Sequence, residues 1–255
     1  SDSTCDLSKD LLEKYDISIL PLHILLGETE YRDGVDITPE EIFRWSDENK
    51  TTPKTSAPSM TEAMEVMKPF LDEGREIICF SISDSMSTSG NVMRLAAEEL
   101  EASDKVTAEG KTRAKITAAI EEIRPRVRAS FTVDTLTYLY RGGRCNAVAA
   151  LAGTMLKLHP RIVVEDGAMD ASKKYRGKLS SVILSYTKDM EDDLKNAVPD
   201  RVFITHSGCD REIVESVRSY LESLGIFNEI LETRAGGVIS SHCGPGTLGV
   251  LFIEK

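Results

Sequence analysis

Hydrophobic positions along this chain fall into two kinds of block: short apolar runs, and longer stretches with an apolar residue every three or four positions. The run at 17–26 is rich in Ile and Leu and is broken by Pro21, which predicts a strand near a sheet edge. Thr38-Pro-Glu-Glu41 marks a helix start, with Thr38 as cap, Pro39 in the first turn and Glu41 closing a capping box. Ser59-Met-Thr-Glu62 repeats the device, and Ala63, Val66, Met67, Phe70 and Leu71 behind it share one face. Residues 76–82 (EIICFSI) form a near-continuous apolar run, the pattern of a central strand covered on both sides. Helical spacing returns at 91–100 and at 111–122, the latter followed by Ile123 in register with Ile116 and Ile120.

In the second half, 130–133 predicts a short strand and 147–158, apolar all round, a buried helix. Residues 161–167 end in Asp-Gly and predict a hairpin. A helix at 179–196, a strand at 201–205 and a helix at 210–224 follow, the last with Ile213, Val217, Leu221 and Leu224 on one stripe. Strands at 226–233 and 248–253 complete the pattern. The class is α/β in two domains. The expectation is a mostly parallel open sheet with flanking helices over 1–159, and an α/β unit with a largely antiparallel sheet over 160–255.

Composition narrows the function. The 255 residues carry 31 Lys plus Arg against 42 Asp plus Glu, a net charge of -11, which repels nucleic-acid backbones and anionic membrane surfaces. No apolar run reaches the roughly 20 residues of a membrane helix, so stable membrane insertion is not expected. The five cysteines are scattered, without C-x-x-C or zinc-ligand spacing, as in a cytoplasmic protein with reduced thiols and no metal. The chain begins at Ser1 rather than at Met, and the expectation is that a short piece precedes it.

Short polar groups concentrate in three loops at strand ends: 55–59 (TSAPS), 83–91 (SDSMSTSGN) and 240–247 (SSHCGPGT). The second lies between a predicted strand and a predicted helix, where unpaired helix N–H groups favour an anion. No P-loop occurs, no G-x-G-x-x-G follows a predicted strand, and G-x-S-x-G is absent. His23, His159 and His206 read as structural, and Cys209 and Cys243 as bystanders. His242 remains, with two readings: a binding group, or the general base of an acyl hydrolase or transferase acting with a loop serine and with Asp2 or Asp84.

Five segments in this order closely resemble the DegV family: 2–7 (DSTCDL), 55–59 (TSAPS), 86–90 (MSTSG), 138–144 (YLYRGGR) and 242–247 (HCGPGT). The resemblance implies a two-domain carrier that encloses one long-chain fatty acid in a tunnel between its domains, has no cofactor and no catalysis of its own, and presents the carboxylate to a separate fatty acid kinase. It implies Thr55, Ser87, Ser89, His242 and Thr247 as carboxylate-binding residues, with Ser56, Ser85, Gly244 and Arg144 as secondary candidates. Hydroxyls and an imidazole satisfy a buried carboxylate without a fixed cation, and Met64, Met67 and Met86 are candidates for the apolar wall. Gly244 and Gly246 would let backbone approach the headgroup, with Pro245 stiffening the loop. Two departures stand out: Ala57 occupies a position that is often Gln in the family, and 105–110 leads from one helix into the next where the family places a strand, a loop and further helix. That junction is either a deletion or a place where residues are absent from the sequence.

Overall fold

Both predicted capping boxes form. The Thr38 N–H donates to Glu41 Oε2 at 2.9 Å and the Glu41 N–H to Thr38 Oγ1 at 3.4 Å; Ser59 and Glu62 exchange the same bonds at 2.8 and 3.2 Å. The structure is a computed structural model and describes residues 1–102, 118–144 and 158–255. The junction at 105–110, the N-terminal part of the helix expected at 111–122 and all of that expected at 147–158 but Leu158 lie outside the described residues.

In chain order, α1 (Lys9–Lys14) precedes β1 (His23–Leu26), β2 (Thr29–Arg32), α2 (Pro39–Asn49), β3 (Lys54–Ser56), α3 (Met60–Asp72) and α4 (Ser89–Glu99). These strands form a small sheet in the order β2-β1-β3, antiparallel throughout, where a mostly parallel sheet is expected. Residues 76–82 carry no strand, and the parallel contact nearby is an isolated bridge between Asp2 and Leu20. The cause is local. The Asp2 carboxylate accepts the Ile82 N–H at 3.1 Å, a bond that a neighbouring strand would otherwise make, and Phe80 is 51% exposed, so the run is not covered on both sides.

The larger sheet is built from β4 (Val127–Thr132), β5 (His159–Glu165), β6 (Ala168–Tyr175), β7 (Arg201–Ser207), β8 (Glu229–Arg234) and β9 (Thr247–Ile253). Its order is β6-β5-β4-β9-β7-β8, with β7 and β8 parallel and the other pairs antiparallel. The expected cut at 159/160 passes through this sheet, because β4 pairs with β5 on one side and β9 on the other. The β5–β6 turn is the predicted one: Asp166 and Gly167 both have positive φ, 49° and 77°, as a two-residue hairpin loop demands. Between the strands lie α5 (Thr137–Gly142), α6 (Leu179–Lys188), α7 (Glu191–Lys195), α8 (Arg211–Leu224) and α9 (Gly237–Cys243). The single helix expected at 179–196 is interrupted at Asp189, whose carboxylate takes Lys173 Nζ at 2.6 Å and the Tyr175 hydroxyl at 2.7 Å.

The main core joins α6, α8 and one face of the large sheet through Ile183, Val217, Leu221, Ile204 and Val250. Tyr186 is fully buried there; its hydroxyl donates to the Ser130 carbonyl at 2.6 Å and accepts the Val250 N–H at 3.1 Å. Tyr186→Phe strands that N–H, and is expected to lower the unfolding free energy by about 1–3 kcal/mol in urea denaturation. Tyr140→Phe, at an exposed position, is expected to change it by less than about 0.5 kcal/mol. Equal stability of the two variants would contradict this role for the buried hydroxyl.

Candidate functional site

α9 follows β8 through Ala235 and Gly236, and its first backbone amides are claimed by carboxylates from distant parts of the chain. The Gly236 N–H donates to Asp6 Oδ1 and the Gly237 N–H to Asp33 Oδ1, both at 2.7 Å. A Cβ on Gly237 would lie 2.6 Å from Ile24 Cδ1 and 2.8 Å from Ile42 Cδ1, so the close approach of α9 to β1 and α2 requires glycine there. Asp33 Oδ2 also accepts the Ser3 hydroxyl at 2.8 Å, while Asp2 accepts the hydroxyls of Thr4 at 2.7 Å and Ser89 at 2.6 Å.

At the other end of α9, His242 Nε2 lies 2.8 Å from Thr55 Oγ1 on β3, joining residues 187 apart in sequence. The imidazole is 9% exposed, and its Nδ1 has no hydrogen-bond partner among the described residues. A Cβ on Gly142 would sit 2.4 Å from that Nδ1, so the first glycine of the Gly142-Gly143 pair makes room for the ring. Burial, aided by the Arg144 cation, pushes the His242 pKa down to about 4. The ring is therefore neutral at pH 7. With no acceptor for Nδ1 among the described residues, the tautomer carrying its proton on Nε2 leaves no buried N–H unsatisfied, and donates to Thr55 Oγ1.

A cavity of about 670 Å³ opens between β3, the serine loop at 83–88, α9 and the open face of the large sheet. Of the sequence-derived site residues, it gathers Thr55, Ser56, Ser85, Ser87, Arg144, His242 and Thr247. Ser87 Oγ accepts the Ser89 N–H at 3.3 Å, which leaves its own proton for the cavity. Thr247 Oγ1 donates to the Cys243 carbonyl at 2.9 Å and Ser85 Oγ to the Gly167 carbonyl, so both protons are committed inside the protein. Arg144 is exposed and donates to the Gly142 carbonyl at 2.7 Å.

Ser89 and Gly244 fall outside the lining. Ser89 is fully buried at the start of α4, where its hydroxyl holds Asp2. Gly244 has φ 77° and serves packing: a Cβ there would lie 2.5 Å from the Tyr138 ring. Gly246 likewise faces Asp134 and Leu179 rather than a headgroup. Met86 lines the cavity as expected, whereas Met64 and Met67 pack in the separate α3–α4 cluster. Sequence reasoning missed the apolar floor, where Ala129 and Phe131 on β4, Val164 on β5, Met169 on β6 and Leu251 on β9 meet the cavity. The i, i+2 spacing on β4 and β9 is the signal that was available for it. Thr4 and Asp6 were also missed as lining residues.

His242 should titrate with a midpoint near 4 in a ring-proton NMR experiment, against an ordinary value of 6.5. Because the unfolded chain takes up this proton first, the stability that this group contributes is complete above about 6.5 and is lost as pH falls toward 4. A midpoint near 6.5 would mean that the ring is not buried as described.

A family model described as "Uncharacterised protein, DegV family" matches residues 1–108 and 101–255, two stretches that overlap at the short junction singled out above. A DegV domain-containing protein of Clostridium acetobutylicum is 28% identical over 280 residues, covering 100% of this chain and 98% of that protein. Among solved structures, a DegV family protein from Thermus thermophilus, described by its fatty acid binding, matches with a TM-score of 0.89 at 29% identity, covering 100% of this chain and 98% of that one. A stearic acid-binding protein from Eubacterium ventriosum matches at 0.78 and 30% identity, with 100% and 97% covered. The Streptococcus pneumoniae fatty acid kinase (Fak) B3 protein loaded with linoleic acid shares the fold at a TM-score of 0.77 and 15% identity, with 93% and 91% covered.

Proposed function

This chain belongs to the DegV family, and from that premise we propose that it binds one long-chain fatty acid in the 670 Å³ cavity and presents its carboxylate to a partner fatty acid kinase. The observation that carries the reading is the pairing of a neutral, buried His242–Thr55 clamp with an apolar floor in one cavity. A carboxylate taken out of water needs donors for its oxygens. The Thr55 hydroxyl accepts the His242 Nε2–H and so turns its own proton outward, and Ser87 offers a second. Thr247 closes the last turn of α9 and so positions the ring. Ser56, Ser85 and Arg144 border the headgroup.

The hydrocarbon supplies most of the affinity, at about 0.8 kcal/mol for each buried methylene, and the clamp fixes orientation. A volume of this size lies within the range of about 300–1,000 Å³ typical of sites that enclose small ligands. The protein works without a cofactor and does no chemistry on the acid. Two features of His242 weigh against an acyl hydrolase: among the described residues no carboxylate bonds Nδ1, and a base held near 4 accepts a serine proton poorly at neutral pH. Cytoplasmic residence fits Cys5, Cys79 and Cys209, which are free thiols. Among the described residues no helix is long and apolar enough to cross a membrane.

Titration of palmitate into delipidated protein tests the reading. Thr55→Val and His242→Ala each remove part of the charge-assisted clamp, worth about 1.5–3 kcal/mol, and are expected to weaken binding roughly tenfold to a hundredfold while the circular dichroism spectrum is unchanged. Wild-type protein that does not bind palmitate, or variants that bind it equally well, would contradict the proposal.

A further inference from the structure

The cavity contains one carboxyl group that the clamp does not use. Asp6 lines it, and its Oδ1 accepts the Gly236 N–H at 2.7 Å. Its Oδ2 makes no hydrogen bond among the described residues. The groups facing Asp6 are of the wrong sign to hold its charge: Asp2 comes from the N-terminal segment and Asp33 from the turn after β2. From the β7–β8 edge, Arg234 is engaged by Glu40, and His206, another cavity residue, is turned toward Glu232 at 3.6 Å. Asp84 on the serine loop adds a further acidic neighbour along the cavity wall.

We propose that loading of the cavity is coupled to a proton on Asp6: the ligand enters the form in which this carboxyl is neutral, and retention weakens as that proton is lost. This rests on the fatty-acid reading above. The argument holds whichever part of the ligand lies beside Asp6. Hydrocarbon strips water from the carboxyl and disfavours its charged form, and a bound carboxylate repels it. Even before a ligand enters, burial raises the Asp6 carboxyl well above the usual carboxylate range; the Gly236 N–H opposes this and Asp33 and Asp2 add to it. α9 makes the coupling matter for retention. Gly236 and His242 are six residues apart, about 9 Å along a helix, so the amide bonded to Asp6 and the imidazole of the clamp belong to one rigid element.

Palmitate titrations of the delipidated full chain from pH 6 to 9, in buffer pairs of different ionisation enthalpy, read the coupling directly. Where empty Asp6 is ionised, wild-type protein is expected to take up close to one proton per palmitate and its affinity to fall by up to about tenfold per pH unit. Asp6→Asn keeps an acceptor for the Gly236 N–H and cannot ionise; it is expected to bind with a flat pH profile and without that proton uptake. A wild-type profile as flat as the variant's, or an equal slope in both, such as protonation of His242 would produce, overturns the coupling and leaves the carrier reading intact. Failure of wild-type protein to bind palmitate even at pH 6 overturns the carrier reading and the coupling with it. In the lipid-free protein, the melting temperature of wild type relative to Asp6→Asn is expected to fall as pH rises through the Asp6 ionisation, and a constant difference would also overturn the proposal.

Discussion

Two hydrogen bonds from consecutive backbone amides to carboxyl groups, Gly236 N–H to Asp6 and Gly237 N–H to Asp33, determine where α9 sits. Most of the cavity follows from that placement. One face of α9 contributes Val238, Ile239, His242 and Cys243 to the wall, spaced at i, i+1, i+4 and i+5. Its C-terminal end brings the imidazole to Thr55, and Thr247 fastens the final turn. The helix has only seven residues and cannot be stable by itself, so its position depends on these anchors and on the glycine contact with Ile24 and Ile42.

Polar groups divide the work around this helix. Those at its N-terminal end hold chain segments together: Asp2 gathers Thr4, Ile82 and Ser89, and Asp33 gathers Ser3 and Gly237. Those at the other end, Thr55 and His242, share a single short bond, and among the described residues the other ring nitrogen has no hydrogen-bond partner. A neutral clamp of this kind suits an anion that must be held and then released, because a buried fixed cation would bind it more tightly and would itself be costly when the site is empty.

Local signals in the sequence were read correctly where the physics is local. The capping boxes at Thr38 and Ser59, the Asp166-Gly167 hairpin and the Ile213–Leu224 stripe each depend on residues within a turn or two. The losses came where distant side chains intervene. The apolar run at 76–82 reads as a central strand until Asp2, some eighty positions earlier, takes the Ile82 amide. The helix expected at 179–196 reads as continuous until Lys173 and Tyr175 engage Asp189. In the site, ordered motifs brought Thr55, Ser87 and His242 into one cavity, but Gly244 was indistinguishable from a ligand-facing glycine until the Tyr138 ring was seen against it. Asp6 lies within the 2–7 segment, but nothing in that short polar stretch tells a buried cavity acid from an exposed one.

The central claim is that the cavity between α9, the serine loop and the large sheet holds a single acyl chain by its carboxylate. Native mass spectrometry of the freshly purified chain, compared with the same sample after denaturation, measures this most directly. The account predicts a mass excess equal to one long-chain fatty acid per protein, released intact on denaturation. Protein that flies at its bare sequence mass, and stays there after incubation with excess palmitate, would contradict it.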